Sequence, residues 1–246
     1  CNSVFVSLYF PSDENADGTP ATNVPFAIDQ DGRITVTADD ALDFETKPTW
    51  VIHVTVTDGF IPQTVEVVIN LNDLNEPPHI DDILDQYVVA EHSANGWPIT
   101  SPAIKISDPD VGDSQSTLSA RIEGRNTSDV MAEQLFEATV AAAQDGSLKI
   151  MITVKDSAKL NYETLLASGA DTVSYEIRLI LTDREGTGFA DTASTTIYVK
   201  DINERPTAED GNFTIDENSA ADTFVGQVVA SDPDVAHAEF GTLYYS

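Results

Sequence analysis

The 246-residue sequence predicts an all-β protein built from tandem modules. Three observations support this prediction: apolar and polar residues alternate in many short segments, several motifs recur in a fixed order, and helical periodicity is rare. Alternation with a period of two is typical of strands that bury one face against a core. A chain of this length, with 41% apolar residues, can bury cores in about two domains.

Individual strands are predicted from this alternation. The clearest one-sided runs are Trp50, Ile52, Val54 and Val56 before Asp58, and Tyr175, Ile177, Leu179 and Leu181 before Asp183. Residues 67–71 and 197–199 follow the same pattern, and each run leads to an aspartate. Residues 131–144 have a weak helical pattern, but inside a β module they are predicted to be a loop or a strand.

Three motifs occur twice in the same order, which indicates an internal repeat. They are NLNDLNEPP (70–78) and YVKDINERP (198–206), LDFE (42–45) and LNYE (160–163), and SDPD at 107–110 and 231–234. The spacing within each pair indicates a module of about 120 residues whose loops vary in length.

The motif order divides the chain into three parts. Residues 1–76 are expected to be a module without its first strands, 77–204 a complete module, and 205–246 the front of a third. SVFVSLYF near the start and TLYYS at 242–246 are both predicted to be the strand that follows SDPD in the complete module. An alternative is that the two partial modules complete each other in neighbouring copies by strand exchange.

Composition excludes several classes of function. The formal net charge of −30 opposes binding to nucleic acid or to an anionic membrane, because both carry the same sign of charge. The single cysteine, Cys1, cannot form an intramolecular disulfide, and no apolar run is long enough for a membrane span. The sequence has no apparent nucleophile–base pair and no Gly-rich phosphate loop, so an enzyme is not expected.

Carboxylates concentrate at the repeated motifs. Asp43 and Glu45 alternate with apolar residues, and the proline between Asp108 and Asp110 stiffens the loop that presents both carboxylates. Oxygen donors suit a hard cation, and calcium accepts about six to eight of them in flexible geometry. Zinc is not expected, because the four histidines are scattered along the sequence and the only cysteine is terminal.

Taken together and in order, these motifs resemble tandem cadherin repeats over the whole chain. DLNEPP and DINERP are similar to the inter-repeat linker of that family, LDFE and LNYE to its Leu-Asp-x-Glu element, and SDPD to its Asp-x-Asp loop. Glu91 and Glu217 match its first-strand glutamate, and Asp58 and Asp183 its late-strand aspartate. The resemblance implies Greek-key, immunoglobulin-like β-sandwich modules joined by calcium-binding linkers, of the divergent kind common in bacterial surface proteins.

The resemblance also implies which residues would bind Ca²⁺ at each linker. For the first linker they are Asp43, Glu45, Asn75 and Glu76, with Asp108, Asp110 and Asp183 from the second module. For the second linker they are Glu91, Glu163, Asn203 and Glu204, with Asp232 and Asp234 from the third module.

Three residues depart from the family pattern. Glu76 and Glu204 stand where the family usually has aspartate, so the ion geometry around these longer side chains is expected to differ. Asn161 replaces the aspartate of LDFE and removes one charge from the second linker. We therefore expect fewer ions than the family usually holds at each linker, and weaker binding at the second.

The predicted function is mechanical and extracellular. Without metal, clustered carboxylates repel one another, and bound calcium would neutralise them and stiffen the array. The resemblance implies a cell-surface adhesion protein that binds another cell-surface protein or a copy of itself. Two alternatives stay open: a polysaccharide-binding module that uses Trp97, predicted to be exposed, or Tyr244 and Tyr245, and a fibre subunit assembled by strand exchange.

Overall fold

The computed structural model describes residues 5–9, 25–37, 42–110, 117–125, 131–166, 172–183, 189–236 and 241–246. The chain separates into two compact units, which are Cys1–Glu76 with Asp108–Asp113, and Pro77–Ser107 with Ser114–Ser246. Nearly all regular elements are strands, so the all-β prediction is confirmed.

The first unit contains a three-stranded sheet and a hairpin. In the sheet, β1 (Phe5–Tyr9) and β5 (Pro62–Asn70) both pair antiparallel with the central strand β4 (Thr49–Thr57). The hairpin consists of β2 (Phe26–Ile28) and β3 (Ile34–Val36).

A small core covers one face of β4. Trp50, Ile52 and Val54 are each at most 7% exposed, and Phe26 packs edge-on against Trp50 with 5.7 Å between ring centroids. The predicted alternation is confirmed for these three β4 residues. It stops at Val56, which is 39% exposed.

The second unit is a β-sandwich of two four-stranded sheets. One sheet has the order β10 (Phe136–Ala142), β11 (Leu148–Val154), β8 (Ile104–Ser107) and β6 (His79–Asp82). The other has the order β7 (Gln86–Ala90), β13 (Ala190–Lys200), β12 (Val173–Asp183) and β9 (Leu118–Gly124). β7 and β13 are parallel, and the other described pairs of these sheets are antiparallel.

The core of the sandwich contains the predicted inward face of β12. Tyr175 is 3% exposed, and Ile177, Leu179 and Leu181 are fully buried. Phe136 of the opposite sheet packs edge-on against Tyr175 at 5.8 Å between ring centroids. Burial on this scale contributes roughly 1.5–3 kcal/mol per large apolar side chain, so this face is the main stabilising surface of the strand.

The first unit repeats part of the strand order of the second. β4 lies between β1 and β5 in the same antiparallel arrangement in which β12 lies between β9 and β13. The internal repeat predicted from the motifs is therefore visible in the sheet topology.

Two single helical turns accompany the strands of the sandwich. α1 (Ala132–Leu135) directly precedes β10, and α2 (Tyr162–Leu165) follows β11. The prediction of a loop or strand at 131–144 is confirmed for β10, whereas α1 is helical because Ala132 and Leu135, three positions apart, both enter the core. Within the described residues, no helix has the length and hydropathy needed to cross a membrane.

The described residues of 205–246, which are 205–236 and 241–246, contain little regular structure. β14 (Thr207–Ala208) pairs with β15 (Ala230–Ser231), and a 3₁₀ turn follows at Pro233–Ala236. The strand predicted at 242–246 is wrong, and the described residues around Glu217 form no strand either. A strand is stable when a neighbouring strand pairs with its backbone N–H and C=O groups, as β13 pairs with β7. No described strand pairs with residues 242–246 or with the residues around Glu217.

Candidate metal centre

The LDFE motif forms a turn that its aspartate closes. Asp43 Oδ1 accepts a hydrogen bond from the Thr46 N–H at 3.0 Å, and Asp43 Oδ2 accepts one from the Thr46 hydroxyl at 2.8 Å. These two hydrogen bonds lower the pKa of the Asp43 carboxyl. Asp43 is exposed and Glu45 is half-buried, so the turn separates a solvent-facing carboxylate from a more enclosed one.

The LNYE motif builds the same local structure with an amide. Asn161 is the N-cap of α2, and its Oδ1 accepts a hydrogen bond from the Thr164 N–H at 2.8 Å. Asparagine and aspartate are about equally good N-caps, so the substitution preserves the turn. Glu163, in the first turn of α2, is half-buried like Glu45.

Glu45, Glu76 and Asp110 form what we name the first carboxylate cluster. One carboxylate oxygen of each residue lies within 4.8 Å of the other two. Asp110 is 5% exposed, and its Oδ2 accepts a hydrogen bond from the Glu76 N–H at 2.8 Å. The SDPD loop thereby holds the backbone of the linker motif.

Glu163, Glu204 and Asp234 form the second carboxylate cluster, from the same three motifs in their second copies. Their oxygens also lie within 4.8 Å of one another. Asp234 is 1% exposed, and its Oδ2 accepts a hydrogen bond from the Glu204 N–H at 2.7 Å. The two clusters therefore have the same hydrogen-bond architecture.

The two SDPD loops share their internal geometry. Asp108 Oδ1 accepts from the Asp110 N–H at 3.1 Å, and Asp232 Oδ1 accepts from the Asp234 N–H at 3.0 Å. In each loop the first aspartate shapes the turn and the second belongs to a carboxylate cluster. Such Asx turns are the usual reason for aspartate before proline in loops.

The linker asparagines also behave alike. The Asn75 Nδ2 donates to the carbonyl oxygen of Glu76, and the Asn203 Nδ2 donates to that of Glu204, both at 3.1 Å. Each amide therefore uses its nitrogen to fix the loop beside a cluster glutamate. A cation would be bound through the oxygen of each amide, because the amide nitrogen carries only hydrogens to donate.

Two further predicted ligands are deeply buried in the second unit. Asp183 is fully buried at the end of β12, and its N–H donates to the Phe189 carbonyl at 3.1 Å. Glu91, 1% exposed, follows β7 directly. Its Oε1 accepts from the Ile202 N–H at 2.8 Å and its Oε2 from the Tyr162 N–H at 2.6 Å, so it ties the linker motif to α2.

Each cluster residue has one buried carboxylate oxygen without a hydrogen-bond partner. These atoms are Glu45 Oε1, Glu76 Oε2, Asp110 Oδ1, Glu163 Oε2, Glu204 Oε2 and Asp234 Oδ1. Buried polar atoms are hydrogen-bonded in the great majority of cases, and burying an uncompensated charge is costly. Six such oxygens, three in each cluster, make a donor set that a hard divalent cation would satisfy.

Burial, together with neighbouring negative charges, raises the pKa of one glutamate in each cluster. For Glu76 the main cause is burial, and the negative charges of Glu45 and Asp110 add to it. For Glu163 burial again comes first, a backbone hydrogen bond offsets part of it, and the charges of Glu91 and Glu204 raise the pKa further. The clusters therefore concentrate negative charge that nothing within them neutralises.

Two residues beside the second cluster are not among the predicted ligands. Asp201 has a carboxylate oxygen within 4.8 Å of those of Glu91 and Glu163. Its position in the repeated DINERP motif was a signal that could have identified it. His92 lies against Glu204, with 2.8 Å between His92 Nε2 and Glu204 Oε1, and no sequence pattern indicated this contact across 112 positions.

Comparison with known proteins gives consistent matches, although no family model matches the chain. Human Cadherin-8 is 30% identical over 220 residues, a match covering 85% of this chain and 26% of that protein. Mouse Cadherin-24 is 27% identical over 226 residues, covering 89% and 27%. The structure of Protocadherin Gamma B2 extracellular cadherin domains 3–6 matches with a TM-score of 0.54 and 19% identity, covering 95% of this chain and 49% of that one.

The fold and the repeated clusters define a class of protein, namely tandem β-sandwich repeats with acidic linkers. The matches are to cadherins and, for the fold, to cadherin extracellular domains, so the resemblance to cadherin repeats seen in the sequence is confirmed. The chain spans about a quarter of the length of the curated relatives it matches. Both relatives named here are mammalian, and the bacterial origin stays a prediction.

Proposed function

We propose that this chain is a calcium-binding segment of an extracellular cell-adhesion protein, in which Ca²⁺ stiffens the linkers between repeats. The observation that carries the proposal is the same carboxylate trio, with buried oxygens that lack hydrogen-bond partners, at two equivalent places in the chain. Similarity to cadherins and to a structure of extracellular cadherin domains supports both the location and the adhesive role.

The proposed ligands are those implied by the sequence, with the two carboxylate clusters at their centre. They are Asp43, Glu45, Asn75, Glu76, Asp108, Asp110 and Asp183 at the first linker, and Glu91, Glu163, Asn203, Glu204, Asp232 and Asp234, together with Asp201, at the second. Bound Ca²⁺ would supply the positive charge that these groups lack. The chain's own contribution is to hold the carboxylates in place through backbone hydrogen bonds before the ion arrives.

We also propose that residues 1–76, 77–204 and 205–246 belong to three consecutive repeats. The division between the compact units at Glu76 and Pro77 supports the first of these boundaries. The DINERP motif at the second boundary repeats the hydrogen bonds of DLNEPP, which supports an equivalent linker there.

The proposed partner is another cell-surface protein or a second copy of this protein, and the role is non-enzymatic. A net charge of −30 argues against nucleic acid. Trp97 is 56% exposed, but exposure alone does not favour polysaccharide binding. The carbohydrate-binding and strand-exchange alternatives are not favoured by the cadherin matches.

Calcium titration calorimetry and small-angle scattering test the proposal. We expect heat of binding on addition of Ca²⁺ to metal-stripped protein, and a longer maximum dimension in Ca²⁺ than in chelator. The double variant Asp110→Asn/Asp234→Asn should lose both effects. The control Asp145→Asn neutralises a carboxylate in the β10–β11 turn, outside both clusters, and should keep both effects. Absence of heat, with identical scattering in the two conditions, would refute the proposal.

A further inference from the structure

His92 lies between two carboxylates that come from separate parts of the chain. Its Nε2 is 2.8 Å from Glu204 Oε1 and 3.5 Å from Glu91 Oε2, and the three donor atoms all lie within 4.8 Å of one another. This group differs from the carboxylate clusters because one of its donors is an imidazole nitrogen. Imidazole nitrogen is a poor ligand for calcium and a good one for borderline transition metals.

We propose that His92, Glu91 and Glu204 form a binding site for Zn²⁺ at the second linker. Zinc commonly takes one or more histidine nitrogens with carboxylate oxygens, and three protein ligands with water in the fourth position is an established arrangement. The sequence argued against zinc because its histidines are scattered, but one histidine with two carboxylates meets this requirement.

The donor spacing fits a tetrahedral ion. With metal–ligand bonds of about 2.0–2.1 Å, two ligand atoms of a tetrahedral site lie about 3.4 Å apart. The 3.5 Å between His92 Nε2 and Glu91 Oε2 matches this value. The 2.8 Å hydrogen bond between His92 and Glu204 needs to open by about half an ångström, which a glutamate side chain allows.

Backbone contacts hold two of the three ligands. Glu91 is 1% exposed, and each of its oxygens accepts one backbone N–H, which leaves a second lone pair on each oxygen for a cation. The His92 N–H donates to the Leu160 carbonyl at 2.8 Å, and His92 has a φ of 54°. A non-glycine residue in this left-handed region is uncommon, and the His92 ring contacts Glu204 from this turn.

Glu204 links the His92 group to the second carboxylate cluster. Glu204 Oε2 is buried without a hydrogen-bond partner. Asp234 is 1% exposed, and its Oδ1 is likewise buried without a hydrogen-bond partner. One carboxylate oxygen of Asp234 lies within 4.8 Å of one from Glu204. Because Glu204 also belongs to the second carboxylate cluster, Zn²⁺ and Ca²⁺ are expected to compete for its carboxylate.

The third repeat supplies an internal comparison. Its ENSA stretch at 217–220 corresponds to EHSA at 91–94, and Asn218 has a φ of 65° where His92 has 54°. The serine hydroxyls that follow, Ser93 and Ser219, both donate to the carbonyl three residues back at 2.7 Å. Asparagine therefore fits this turn without providing a metal-binding imidazole.

The test uses the untagged, metal-stripped protein with ZnCl₂ in calorimetry and CoCl₂ in visible absorption. We expect one Zn²⁺ per chain, and a Co²⁺ spectrum of a low-coordinate site with a nitrogen ligand. His92→Asn should weaken Zn²⁺ binding by at least about tenfold and abolish the Co²⁺ spectrum, while its Ca²⁺ uptake stays unchanged. Glu204→Gln should weaken the binding of both ions.

The control is His79→Asn, which removes an exposed histidine that lies 3.1 Å from Asp191 and is paired with one carboxylate among the described residues. It should leave Zn²⁺ binding unchanged. If His92→Asn or Glu204→Gln binds Zn²⁺ as the parent does, or if both histidine variants weaken it equally, the site does not exist. If the parent protein binds Zn²⁺ but takes up no Ca²⁺, the proposed function is refuted and the zinc site is supported.

Discussion

The two carboxylate clusters share a backbone framework but differ in the side chains around it. In both, the second aspartate of SDPD accepts the linker N–H, from Glu76 to Asp110 at 2.8 Å and from Glu204 to Asp234 at 2.7 Å. The turn that carries the first cluster glutamate is closed by Asp43, whereas Asn161 closes the turn of the second.

This difference separates positions that need only an oxygen acceptor from positions whose negative charge is available for cation binding. Asp43 and Asn161 both cap a turn, and the cap needs only an oxygen acceptor, so the charge at this position is dispensable for the fold. Asp110 and Asp234 are buried and accept a backbone N–H while keeping one oxygen without a partner. We therefore expect the buried aspartates to dominate cation binding.

The largest expected effect is from neutralising one buried aspartate at a time. Asp110→Asn should weaken Ca²⁺ binding at the first linker only, and Asp234→Asn at the second only. Losing one charged interaction of about 1.5–3 kcal/mol corresponds to about a ten- to hundred-fold lower affinity. Calorimetry on each variant, with Asp145→Asn as the control, measures this. Equal losses at both linkers from either variant would show that the clusters are not independent.

The second expected effect concerns the stability of the metal-free protein, which should rise rather than fall as the pH drops below 7. The raised pKa values of Glu76 and Glu163 mean that the folded chain binds more protons than the unfolded chain just above the ordinary glutamate pKa. Stability should therefore rise as the pH falls from 7 into that window. The lowered pKa of Asp43 acts only below the ordinary aspartate value, where stability is lost again.

Urea unfolding of metal-stripped protein at stepped pH values measures this response. Glu76→Gln and Glu163→Gln should each remove part of the trend, because a neutral side chain binds no proton. With Ca²⁺ present the trend should reverse, because protons and calcium compete for the same carboxylates. A metal-free stability that falls steadily from pH 7 downward would contradict the raised pKa values.

The smallest expected effect is from exchanging the caps. Asp43→Asn and Asn161→Asp should leave the thermal midpoint nearly unchanged, whereas Asp43→Ala should lower it and Asn161→Ala should cost about 1 kcal/mol. Thermal unfolding in chelator compares the four variants.

The sequence predicts weaker calcium binding at the second linker, and Asn161→Asp tests that directly. We expect Asn161→Asp to make the free energy of Ca²⁺ binding at the second linker more favourable by less than about 1 kcal/mol, the range of exposed charge pairs.

Much of the fold follows from local patterns in the sequence. Alternation identified the inward face of β12 and the buried Trp50, because successive strand residues point to opposite sides whatever the partner strand is. The positions of Asp110 and Asp234 were also predictable, since each lies in a short motif that fixes its own loop. The strand expected at 242–246 failed because a strand depends on a pairing partner, which the local sequence does not specify.

The all-β repeat, the linker motifs and the residues that supply carboxylates to them could be predicted locally, because these properties depend on neighbours a few positions apart. The contact between His92 and Glu204 spans 112 positions and became visible in the folded chain. That contact depends on the parallel ladder between β7 and β13, which pairs Ala90 with Lys200 and brings Glu91 to the Ile202 N–H. Such a register is fixed by the packing of the whole sandwich, so no local motif could have predicted an imidazole beside the second carboxylate cluster.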